Sequence, residues 1–175
     1  NIQKLKDGRV GSNVRLVEAD ADSFEWEKQY FDAIVCSGML EYTENPERNL
    51  LRLRSYLKAG GMLICSFPNG LSPYRRWSEH VYRHFWQVKN KLVGKESHYY
   101  PRCLFIKSRL IARLEKEPYR LEIRTKEFGH KLLLQPSDIL LKQLDHKLTC
   151  FFEQRPFFLS KYLCSEFLMQ IVKCE

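Results

Sequence analysis

The stretch from Tyr30 to Asn69, YFDAIVCSGMLEYTENPERNLLRLRSYLKAGGMLICSFPN, constrains the fold more than any other part of the chain. It reads as strand, helix, strand. Ala33 to Cys36 and Met62 to Phe67 are short, nearly continuous apolar runs, the pattern of parallel strands covered on both faces, and both are expected to lie centrally in a sheet. Between them Asn45 is placed to cap a helix, Pro46 suits its first position because φ is already fixed, and Glu47 favours the positive end. Leu50, Leu53 and Leu57 recur at helical spacing, Leu51 and Tyr56 widen the stripe, and Arg52, Arg54 and Lys58 keep the other side in water. Gly60 and Gly61 are expected to end this helix.

Phe31-Asp32 before a buried strand, Leu40-Glu41 past it, a helix ending Leu57-Lys58-Ala59-Gly60-Gly61 and a strand ending Phe67-Pro68-Asn69 follow in an order that resembles class I S-adenosylmethionine-dependent methyltransferases. The resemblance spans about residues 13 to 173 and is strong over 14 to 69. It implies an α/β, Rossmann-like three-layer sandwich with a mostly parallel sheet and an antiparallel last strand. Val14, Leu16 and Val17 would be the family's third strand. The family's first strand, Gly-rich turn and second strand have no counterpart here, because Gly8 to Ser12 follows no buried strand and opens no helix. The expectation is a single, incomplete domain over residues 1–175, to which roughly 60–70 further residues would be added at the amino end.

After Asn69, Ser72-Pro73 begins an aromatic helix to about Leu92, with Tyr74, Trp77, Val81, Phe85, Val88 and Leu92 on one face and most of its basic residues elsewhere. It lies within 70–102, where the resemblance places a substrate-covering insertion. Ser108 begins a further helix closed by Pro118, and Tyr119 to Lys126 alternates as a half-exposed strand. A helix from about Ser137 to Phe152, with Leu141, Leu144, Leu148 and Phe151 inward, and a closing strand from Phe167 to Lys173 complete the chain.

The resemblance also assigns roles. Asp20 would accept from the adenine amino group and the Ala21 amide would donate to the ring, although either Asp20 or Asp22 also suits a turn cap. Cys36, Ser37, Gly38 and Leu40 would lie at the carboxyl edge of the sheet against S-adenosyl-L-methionine, Cys36 through its carbonyl and Leu40 by packing, roles equally compatible with plain structure. Many relatives carry His where this chain has Tyr42, a phenol whose ordinary pKa makes a weak base at neutral pH. His98, ahead of Tyr99-Tyr100-Pro101, is the better acid-base candidate, with a loop hydrogen bond as its other reading. Asn69, Tyr74, Arg75 and Trp77 are the candidate substrate contacts, arginine offering a bidentate grip on carboxylate or phosphate. His80 and His84 stand one helical turn apart without a comparable third ligand, so no metal is expected.

The net charge of +8 permits attraction to phosphates, acidic lipid surfaces or anionic substrates and does not choose among them. The six cysteines form no C-x-x-C pair, no apolar run approaches a membrane span, and a reduced, cytoplasmic protein is expected. The resemblance implies an S-adenosyl-L-methionine-dependent methyltransferase, and the aromatic, basic insertion with no recognisable RNA-binding module favours a small-molecule acceptor, at oxygen or nitrogen. Methylation of tRNA or another nucleic acid, or a non-catalytic interaction module of the same fold, are the alternatives.

Overall fold

The computed structural model describes residues 14–95, 102–116, 121–154 and 159–174. Its order is β1 (Phe31–Cys36), a 3-10 turn (Leu40–Tyr42), α1 (Pro46–Ser55), β2 (Leu57–Pro68), α2 (Pro73–Trp77), a π turn (Ser78–Tyr82) and α3 (Arg83–Leu92). Then follow α4 (Lys107–Leu114), β3 (Leu121–His130), α5 (Ser137–Leu140), α6 (Lys142–Gln154), α7 (Ser160–Leu163) and β4 (Cys164–Lys173). One mixed sheet runs β1-β2-β4-β3, with β1 parallel to β2 and β4 antiparallel to both β2 and β3.

The strand-helix-strand expectation holds in its core. Asn45 caps α1, its side chain accepting from the Arg48 amide at 3.1 Å, and Pro46 opens the helix. Leu50 reaches the core with Leu63, Cys65 and Phe67 of β2 and Met169 and Ile171 of β4, while Leu110 and Leu114 bring α4 to the same cluster. Burying such a side chain contributes on the order of 1.5–3 kcal/mol, so packing holds these helices more than propensity does.

Four expectations are corrected. The helix ends at Ser55, not at the glycines: the Gln29 and Tyr30 amides take the Ser55 and Tyr56 carbonyls, and Leu57 already pairs with Phe31 in β2. Gly60 and Gly61 lie inside β2. A Cβ at Gly61 would stand 2.9 Å from the Lys58 carbonyl oxygen and 3.2 Å from those of Phe31 and Asp32, so glycine lets β2 pass close to β1 where the register shifts. Second, β1 is not central among the described residues, since it pairs with β2 alone and Val35 is 72% exposed. A continuous apolar run records what a strand tolerates on its faces and says nothing of which neighbour is beside it. Third, Val14 to Val17 forms no strand, because no described strand offers it a ladder.

The fourth correction concerns helix faces. A π turn interrupts the helix after Trp77 and adds a residue to one turn, so the single stripe expected from Tyr74 to Leu92 is split. Tyr74 and Trp77 turn toward the α5 segment, whereas Phe85, Val88 and Leu92 are exposed. Similarly, Leu141 breaks the helix expected from Ser137 to Phe152, and Leu141, Leu144 and Phe151 are exposed while Asp145, paired with Lys131, is buried. The strand pair near the end matches expectation, with β4 reaching three residues earlier, to Cys164.

Candidate functional site

The carboxyl ends of β1 and β2 are tied by one hydroxyl. Ser66 Oγ accepts from the Gly38 amide at 2.9 Å and lies 3.2 Å from Ser37 Oγ, fixing the turn that leaves β1. Gly38 sits at φ +62°, where a side chain is strained, and a Cβ there would meet only Glu41 Oε1, at 3.8 Å. Backbone at this position is open to an approaching molecule. The next turn drives Leu40 into the core and is closed by Thr43 Oγ1 donating to the Leu40 carbonyl at 2.9 Å.

Glu41 follows, and it is the group the sequence reading used only as a family marker. It is 7% exposed, its carbonyl accepts from the Cys103 amide at 2.7 Å, and its Oε2 has no hydrogen-bond partner among the described residues. Burial pushes its carboxyl above the usual glutamate range, against the opposing pull of Arg102 and Arg75. A buried carboxyl with a vacant oxygen costs stability, which is a reason to look for chemistry there. Its signal in sequence was its place, immediately after the β1 loop, rather than any pattern of neighbours.

A cavity of about 410 Å³ is lined by Tyr74, Arg75, Glu79, Tyr82, Arg102 and Trp86 among others, and two of these, Arg75 and Arg102, are the cations that act on the Glu41 carboxyl. Helical spacing of 79, 82, 83 and 86 turns one face of the π turn and α3 into its wall. Arg75 pairs with Glu166 and donates through Nε to the Ser165 carbonyl at 3.2 Å, anchoring α2 to β4. Arg102 lies 5.2 Å above the Tyr42 ring and 3.9 Å from the carboxylate of Glu79, itself buried. The Tyr74 hydroxyl donates to Asp138 at 3.0 Å, and burial together with that carboxylate holds its pKa up to about 12. Tyr74 is therefore a fixed hydrogen-bonding phenol and not a base.

The structure brings Tyr74 and Arg75 to the cavity and Tyr42 to its edge through Arg102. Trp77 is instead anchored beside it, its indole donating to the Gln135 carbonyl at 2.8 Å. Asn69 is engaged in structure: its amide nitrogen donates to the Lys161 and Cys164 carbonyls at 2.8 and 2.9 Å, and its oxygen accepts from the Leu71 amide. Asp20 closes an Asx turn with the Asp22 amide at 2.9 Å, and the Ala21 carbonyl accepts from Arg52. Asp22, not Asp20, locks this loop to α1, accepting from Asn49 at 2.6 Å and from the Glu44 amide at 3.1 Å. Cys36 is buried in register with Cys65, whose thiol is held protonated by its hydrogen bond to Cys36 and by burial. His98 lies outside the described residues.

Residues 1–65 match the family model of the methyltransferase domain. That stretch of the chain has the sequence of a methyltransferase domain. Solved structures agree in fold: a SAM-dependent methyltransferase from Archaeoglobus fulgidus (16% identity, TM-score 0.57, covering 99% of this chain and 73% of that one) and one from Mesorhizobium loti (13%, 0.60, 98% and 75%). A chain from the complex between the Haloferax volcanii Trm112 methyltransferase activator and a methyltransferase matches at 12% identity and TM-score 0.60, covering 99% and 68%. Among curated proteins none matches the sequence.

The Archaeoglobus fulgidus and Mesorhizobium loti proteins are S-adenosylmethionine-dependent, and the described residues of this chain leave room for one side of that molecule. The open, left-handed backbone at Gly38 permits close approach at the carboxyl end of β1, and the Glu41 carboxyl stands near it, its Oε1 3.8 Å from where a Cβ would lie.

Proposed function

We propose that the chain methylates a small-molecule acceptor, at oxygen or nitrogen, seated in the cavity whose Arg75 and Arg102 also act on Glu41. The observation that carries this reading is the conjunction of a cavity of about 410 Å³, within the usual range for small ligands, with a buried carboxyl that has a vacant oxygen. Cys36 through its carbonyl, Ser37, Gly38 and Leu40 would hold S-adenosyl-L-methionine from the β1 side, and Asp20 and Ala21 from the preceding loop. That cofactor supplies an already activated methyl group, so the protein's task is chiefly alignment. Glu41 accepts the proton the acceptor gives up, with Arg75 and Tyr74 orienting the acceptor and Tyr42 flanking the entrance. His98 stays a second acid-base candidate. All six cysteines are free, which supports action in the cytoplasm.

The test is methyl transfer from labelled S-adenosyl-L-methionine to a panel of small hydroxyl and amine acceptors, compared with total tRNA. Ser78→Trp, which fills the cavity from its wall, is expected to abolish small-acceptor turnover while leaving affinity for S-adenosylhomocysteine intact. Transfer to tRNA alone, with affinity falling steeply as salt rises, would replace this reading with the nucleic-acid one that the +8 charge also supports.

A further inference from the structure

The cavity wall has a second side. Tyr82, Arg83 and Trp86 face the cavity, while Phe85, Val88, Leu92 and Val93 project from α3 and its end into solvent, Phe85 at 73% and Leu92 at 82% exposure. From His80 to Lys95 there is no acidic residue, and Lys89, Lys91 and Lys95 are interspersed with these apolar groups. Across the cavity, Ile139 lines it from α5 and leads into exposed Leu140, Leu141 and Leu144, with Lys142 and Lys147 beside them. The acidic groups of that segment, Asp138 and Asp145, are buried against Tyr74 and Lys131. Two apolar, purely basic ridges thus flank one opening.

We propose that this rim docks on an anionic lipid bilayer. A helix whose apolar face is exposed and whose polar positions are cationic has the composition of an interfacial helix, its lysine stems reaching past the apolar residues toward headgroup phosphates. Charge complementarity selects the occupant: a protein face would have to be apolar and strongly acidic at once, whereas an anionic bilayer presents both layers in the right order. No helix among the described residues is long and apolar enough to cross a membrane, so the contact lies in the interface plane. The docking stands by itself. Combined with the acceptor reading above, on which this clause rests, it sets the mouth of the cavity against the bilayer, where an acceptor with an apolar tail enters without crossing water.

The experiment is co-sedimentation of the full chain with phosphatidylcholine vesicles, with and without phosphatidylglycerol, in the absence of cofactor or acceptor. Binding to the anionic vesicles is expected, weakening with salt and falling about fivefold for each of Lys89, Lys91 and Lys95 replaced by Gln. The double variant Phe85→Ser/Leu92→Ser, exposed positions outside the cavity, is expected to abolish it while circular dichroism is unchanged. Absence of binding to anionic vesicles, or binding indifferent to both sets of changes, overturns the proposal. So does a lipid-free dimer that the serine pair dissolves, which would make a second copy the occupant, or lysine-dependent binding to RNA without binding to vesicles. Because no methyl transfer is measured, failure here leaves the acceptor reading untouched.

Discussion

Replacing Glu41 with Gln should make the protein more stable and less active at the same time. Burial raises the Glu41 carboxyl above its ordinary 4.5 in the folded chain. A carboxyl so shifted penalises folding: the penalty is absent below the ordinary value, grows as pH rises toward the folded one, and is complete above it. A buried group left without a partner costs about 1–3 kcal/mol, and the amide keeps part of that polarity, so Glu41→Gln should gain about 1 kcal/mol. For a chain of this size that is a rise in Tm of roughly 2–4 °C, visible at pH 8 and vanishing toward pH 4. Turnover should fall about 10²–10⁴-fold if the carboxylate takes the acceptor's proton, with S-adenosylhomocysteine affinity unchanged by calorimetry. Turnover within a few-fold of the parent would refute the base, and a stability change independent of pH would refute the argument from burial.

Three other changes test the frame. Asn69→Ala leaves the Lys161 and Cys164 carbonyls without their donor, and urea denaturation should show a loss of about 2 kcal/mol or more, a cost that a substrate-contacting residue would not incur. Phe67, fully buried with its ring centroid 5.4 Å from that of Phe167 and 4.9 Å from that of Phe105, should cost about 3–5 kcal/mol when cut to Ala, read by the same method. Asp22 is held below its ordinary 3.8 by the Asn49 and Glu44 hydrogen bonds, so it stabilises above that value and the benefit disappears as pH falls through the depressed one. Thermal melts of Asp22→Asn should therefore differ from the parent near neutrality and converge with it in acid.

Local signals were legible wherever one residue and its neighbours decide the outcome. Asn45-Pro46 starts α1 because cap and first turn need nothing distant, and the alternation at Leu121 to Thr125 places β3 because period two belongs to the strand itself. What failed needed knowledge of partners. The Gly60-Gly61 pair looks like a helix stop, yet Gly61 answers to the carbonyls of Phe31 and Asp32, some thirty residues away. The hydrogen bonds Asn69 makes to the turn before β4 were equally out of sight, since the carbonyls it reaches are more than ninety residues away. The site itself was half legible: the β1 loop could be found by order, Tyr74 and Arg75 by their place after β2, yet Glu41 is marked by burial and a missing partner, neither of which leaves a trace in sequence.

The π turn at Ser78–Tyr82 has a consequence for how this segment can change in evolution. Because it holds one residue more than a regular turn would, the angular phase of everything after it is set there. Loss of a single codon in that turn would leave α3 helical and nearly as long while rotating it by about 100°. Trp86 and Arg83 would swing out of the cavity and a neighbouring stripe would swing in. Substitutions along this helix adjust one contact each; an insertion or deletion at the turn exchanges whole faces, so the helix can be re-purposed in one genetic step.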